Sequence, residues 1–149
     1  MSHLASIDIR IDSLPALKNA CAELGLTFVE NQRTHEWFGQ FMDDYHGTDA
    51  AYRNGIDPKT YGTCLHAIRV PGCKYEIGVV NHPSGQGLTL VYDFWGPGQR
   101  IVEAVGKGCE KLKQFYGLHR GILEAKAKGW ITQRKTCANG SIKLQILNV

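Results

Sequence analysis

The sequence predicts an α+β fold. The expected form is a single antiparallel sheet in the order β-α-β-β-β-β-α-β-β, with two helices on one face and a long ordered loop at 31–62. Three observations predict it. Short segments alternate apolar and polar residues with period two; two segments carry apolar residues at spacings of three and four; and an aromatic, polar stretch without period lies between them. At 149 residues the chain has the length of one domain, 1–149, large enough to bury about two-thirds of the surface it exposes when unfolded.

The elements follow in order. Residues 4–11 alternate Ile7, Ile9 and Ile11 with Ser6, Asp8 and Arg10, a strand with one wet face. Asp12 or Ser13 then caps a helix with Pro15 in its first turn, where a missing N–H does no harm. Its apolar stripe is Leu14, Leu17, Cys21 and Leu24, and Gly25 ends it. Leu26–Glu30 reads as a second short strand.

Residues 31–62 mix aromatics with polar, Gly and Pro residues and show no sustained period. Loops this long inside a compact domain are uncommon and often functional. A meander follows: Cys64–Val70, the turn Pro71-Gly72, Lys74–His82 with Tyr75, Ile77 and Val79 alternating against Glu76 and Gly78, then Leu88–Trp95. Gly96-Pro97-Gly98 breaks the last of these.

From Gln99 to about Lys128 the pattern is helical, with Ile101, Val105, Leu112, Tyr116, His119 and Leu123 on one side. Gly106, Gly108, Gly117 and Gly121 each weaken a helix by about 1 kcal/mol relative to Ala. They predict close backbone packing, or a kink near Gly117. Gly129 stops the helix, and Trp130–Lys135 with Ile142–Val149 close the chain as a hairpin.

Composition narrows the function classes. No apolar run approaches the roughly 20 residues that cross a bilayer, so no membrane partner is expected. The start MSHLASIDIRID lacks a basic segment followed by an apolar block, which predicts a cytoplasmic protein. Five cysteines, an odd number without a CxxC pair, point to reduced thiols. The net charge of +3 is uneven: residues 1–100 hold 8 Lys and Arg against 11 Asp and Glu, and residues 101–149 hold 9 against 3. A basic second part suits an anionic partner or a solvated helix face.

Four kinds of chemistry were weighed on the residues. His35, His46, Cys64 and His66 are weak candidates for a metal, since their spacing matches no zinc signature and ordinary loop histidines explain them. Cys64 with His35 or His66, and Asp93 beside Trp95, offer no recognisable nucleophile–base signature, so no catalytic residue and no cofactor are assigned. Asp93 is expected to pair with a neighbour such as Arg69. WGPGQR places Gly96, Gly98 and Arg100 at a helix start, where a phosphate or nucleotide can bind, although a simple turn accounts for it. Lys107 and Lys111, one turn apart near Arg100, suit nucleic-acid phosphates. Tyr75, Tyr92 and Phe94 are as easily core as stacking platforms. The loop aromatics Trp37, Phe38 and Tyr45, together with Asp93, Trp95 and Arg100, are the candidate binding surface.

The segments MSHLASIDIRIDSLPALKNACAELGLTFVEN, CLHAIRVPGCKYEIGVV, LTLVYDFWG and YGLHRGILEAKAKGW, with the ending NGSIKLQILNV, resemble in their succession the domain of unknown function 1257 family. That family is a conserved plastid and cyanobacterial reading frame with bacterial and bacteriophage members. The resemblance implies an uncharacterised accessory role, associated with AAA+ ATPases, and carries no catalytic residue onto this chain. It favours a non-catalytic module that binds a protein partner, with nucleic-acid or nucleotide binding as the alternative. The excursion at 32–62 departs from the shorter plastid-type members.

Overall fold

A computed structural model describes residues 4–6, 9–37, 55–56 and 60–147. Strand β1 (Leu4–Ser6) leads to helix α1 (Leu14–Glu23) and strand β2 (Thr27–Val29). The meander follows as β3 (His66–Arg69), β4 (Glu76–Asn81) and β5 (Leu88–Asp93). After a 3-10 turn at Gly96–Gly98 come α2 (Gln99–Val105), a second 3-10 turn at Lys107–Cys109, α3 (Glu110–Ala127), β6 (Ile131–Thr136) and β7 (Ile142–Leu147).

Strands β1 to β5 form one sheet in the order β1-β5-β4-β3-β2, with every pairing antiparallel. The α+β class and the antiparallel sheet with helices are as the sequence predicts. Helix α1 begins where expected: the Ser13 hydroxyl accepts from the Ala16 amide at 3.3 Å, Pro15 sits in the first turn, and Gly25 takes the left-handed φ of +73°.

Two details differ. The closing hairpin is a separate two-stranded sheet, β6–β7, and does not join the main one. It packs on the helices: Leu144 approaches Gly121 of α3, and Arg134 pairs with Glu23 of α1. The long helix is also broken, and ten residues before Gly117. Gly106, Gly108 and Cys109 all have positive φ, so the chain turns a corner between α2 and α3. Cys109 is fully buried there, and a non-glycine in this conformation persists only when packing holds it.

The period-two alternation sorts the sheet into two faces. Ile68, Val70, Ile77, Val79, Leu90 and Tyr92 join Leu17, Ala20, Cys21, Ile101, Val105 and Leu112 in the main core. The opposite face carries Ala67, Gly78, Val91 and Asp93, all buried although no helix covers them. The two ends of the excursion cover that face. Thr34 and Thr63 form a bridge, His35 N donates to Gly62 O at 3.0 Å, and Cys64 N donates to Arg33 O at 2.8 Å. Trp37, Ile56, Tyr61, Val80 and Val91 make a second small apolar cluster. Residues 38–54 and 57–59 of the expected 31–62 loop lie outside the described residues.

Candidate functional site

The covered face holds a polar network centred on Glu76. Its Oε2 accepts from Arg69 Nε at 2.9 Å, and its Oε1 accepts from Gln32 Nε2 at 3.0 Å and from the Glu36 amide at 2.9 Å. Gln32 closes the circuit by accepting from Arg69 through Oε1 and donating to Thr34 O. A buried carboxylate with three donors is a satisfied structural group. The sequence alternation marked Glu76 as a wet-face residue; the excursion makes it an interior one.

Arg69 therefore pairs with Glu76, directly opposite it on the neighbouring strand, and not with Asp93 as expected. Asp93 is 0% exposed, and its Oδ1 accepts from the Trp95 amide at 3.1 Å. His35 lies on the same face, with its ring against Gly78. Burial pushes its pKa below the ordinary imidazole value, against the opposing pull of Glu76 and Asp93, so the ring is held neutral. Its Nδ1 is buried without a hydrogen bond among the described residues.

The metal candidates are not brought together. The Cys64 thiol donates to Gln32 O at 3.1 Å, while His66 Nδ1 accepts from the Asn31 amide at 2.9 Å and its ring meets Phe28. No group of three His, Cys, Asp or Glu side chains among the described residues can hold a metal ion. His46, with Phe38 and Tyr45, lies outside those residues. Burial raises the Cys64 thiol to about 11, so it is a thiol and not a thiolate near neutrality. A hollow of about 300 Å³ beside it is lined by Ile56, Thr60, Thr63, Leu65, Val80, Asn81 and Pro83.

No family model, no curated protein and no solved structure matches the chain.

The corner after β5 is the other candidate region. Phe94 and Trp95 are 36% and 49% exposed, side by side in sequence. The corner itself is rigid. Gly98 packs against the Asp93 backbone, Gly98 N donates to Trp95 O at 3.0 Å, and the Cys73 thiol donates to Pro97 O at 3.3 Å. Arg100 is exposed beside the Pro71-Gly72 turn and pairs with Glu103 at 3.2 Å. The amides of Trp95, Gly98 and Gln99 all donate inside the turn, which explains WGPGQR without a phosphate.

Tyr75 and Tyr92 are core residues, so the sheet presents no stacking platform from them. Lys107 and Lys111 are both exposed, but the corner at Gly106 separates them from Arg100, and the Lys111 stem lies against Gly106. His119 is half-buried, with Nε2 3.2 Å from Glu23 Oε2, so it serves the α1–α3 contact. Among the described residues no helix is long and apolar enough to cross a membrane.

Proposed function

We propose that this chain is a small non-catalytic accessory module that binds a protein partner through the corner after β5. The observation that carries the reading is the exposed Phe94–Trp95 pair on a backbone held rigid by buried Asp93 and Gly98. Trp and Arg are the side chains that most often dominate binding energy at protein interfaces, and a rigid support lowers the entropy cost of docking them. Arg100, exposed on the neighbouring turn of chain, adds a charged group to the same region. The buried, protonated Cys64 and the neutral, enclosed His35 favour binding over nucleophilic chemistry. The resemblance to the domain of unknown function 1257 family adds the expectation that the partner belongs to an AAA+ ATPase system.

The test is site-specific crosslinking in the source cells, with Trp95 replaced by a photo-reactive amino acid and exposed Gln114 of α3 as the control position. A discrete protein adduct from position 95 and none from 114 is expected. Affinity for the purified partner should then fall at least tenfold in Trp95→Ala and Arg100→Glu, with melting temperatures unchanged. No adduct, or full affinity in both variants, overturns the reading.

A further inference from the structure

The β6–β7 ribbon stands apart from the main sheet, and its two faces differ in kind. The inward face packs on the helices through Leu144 and Arg134. The outward face is set by the register: Ile131 pairs with Leu147, Gln133 with Gln145, and Lys135 with Lys143. All six are exposed. Lys135 and Lys143 have no carboxylate partner among the described residues. Beyond Glu124 the chain carries five basic residues and no acidic one.

Two like charges directly opposite each other on a ribbon are destabilising, so this pair needs an anion in front of it. A hollow of about 430 Å³ lined by Lys135, Lys143, Leu144, Gln145 and Ile146 runs along the same strand. The tip is locked as well. Asn139 Oδ1 accepts from the Ser141 amide at 3.1 Å and from its hydroxyl at 2.6 Å, and Cys137 N donates to Ser141 O at 2.8 Å.

We propose that the β6–β7 ribbon is a DNA-binding element that lays its outward face into the major groove of double-stranded DNA. A two-stranded ribbon fits a groove about 12 Å wide, and six-residue strands reach about 20 Å along it. Lysines near the tip suit phosphates or guanine edges, glutamines pair with adenine edges, and exposed Ile131 and Leu147 suit thymine methyl groups. The deep, narrow major groove of duplex RNA does not admit side chains in this way. The proposal stands independently of the Trp95 surface.

Fluorescence anisotropy of the full chain tests it, with a 20-base-pair DNA duplex, the RNA duplex of the same sequence, and poly-glutamate as probes. DNA binding is expected at 50 mM salt, with affinity falling about tenfold or more by 200 mM, as release of counterions from two or more phosphates requires. Lys135→Glu with Lys143→Glu should lower DNA affinity at least tenfold at an unchanged melting temperature, whereas Lys107→Glu with Lys111→Glu should leave it within about twofold. Absence of DNA binding at 50 mM salt overturns the proposal. So does equal binding of RNA or poly-glutamate, or a loss caused by the Lys107 and Lys111 changes and not by the ribbon changes.

Discussion

Gly98 sits so close to Asp93 that a β-carbon on it would lie 1.7 Å from the Asp93 carbonyl oxygen. No side chain fits there, and the obstacle is backbone, which cannot swing aside. Gly98→Ala must therefore open the corner between β5 and α2, at an expected cost of about 3 kcal/mol or more. Urea unfolding measures it. A variant within 0.5 kcal/mol of the parent, on the order of a neutral surface change, would contradict the tight corner.

The Tyr116 hydroxyl of α3 reaches the start of α1. It accepts from the Asp12 amide at 3.0 Å and from the Ser13 amide at 3.3 Å, and donates to Asp12 Oδ1 at 3.0 Å. Tyr116→Phe strands these groups and should cost about 1–2 kcal/mol. Ser13→Ala should cost about 1 kcal/mol through the lost cap. Because both act on the same turn, the double variant should depart from additivity by at least about 0.5 kcal/mol in a double-mutant cycle.

His35 makes stability depend on pH. Its folded pKa lies below the ordinary imidazole value because burial disfavours the charged ring, so the unfolded chain takes up the proton first. The stabilisation is present above the unfolded value of about 6.5 and is lost as pH falls through the folded one. His66 is shifted the same way by partial burial and adds to the slope. Unfolding free energy measured from pH 8 to 5 should fall with acid, and less steeply in His35→Gln. An equal slope in that variant would remove His35 as its source.

Burial also orders the thiols. It raises Cys21 to about 12 and Cys109 to about 11, and raises half-buried Cys73 to a lesser degree, while Cys137 is exposed on the hairpin turn. Iodoacetamide at pH 8, followed by mass spectrometry, should label Cys137 first and Cys73 later. Cys21 and Cys109 should react only in denaturant. Early labelling of Cys109 in the native protein would show that the corner between α2 and α3 opens.

Period-two patterns and helix caps were legible because they depend on near neighbours. Ser13, Pro15 and Gly25 bound α1 as expected, and Leu88, Leu90 and Tyr92 share the core face of β5. The break at Gly106–Cys109 was not placed, because four helix glycines weaken the pattern equally and tertiary packing chooses among them. The Glu76 network was missed for a different reason. Alternation separates two faces but does not say which is wet, and the cover comes from residues 32–37 and 60–63, which have no period of their own. The Arg69–Glu76 pair was within reach, since a hairpin around Pro71-Gly72 sets those two residues opposite each other.

Strand β1 pairs with β5, placing Leu4 opposite Asp93, about 90 residues away along the chain. During synthesis the first strand therefore emerges with no hydrogen-bonding partner and waits until nearly two-thirds of the polypeptide has left the ribosome. At about 5–20 residues per second that interval is several seconds. The β3–β4–β5 meander, built from neighbours, can assemble ahead of it. The amino-terminal strand is thus the last to seal the sheet and leaves the β5 edge open in the nascent chain.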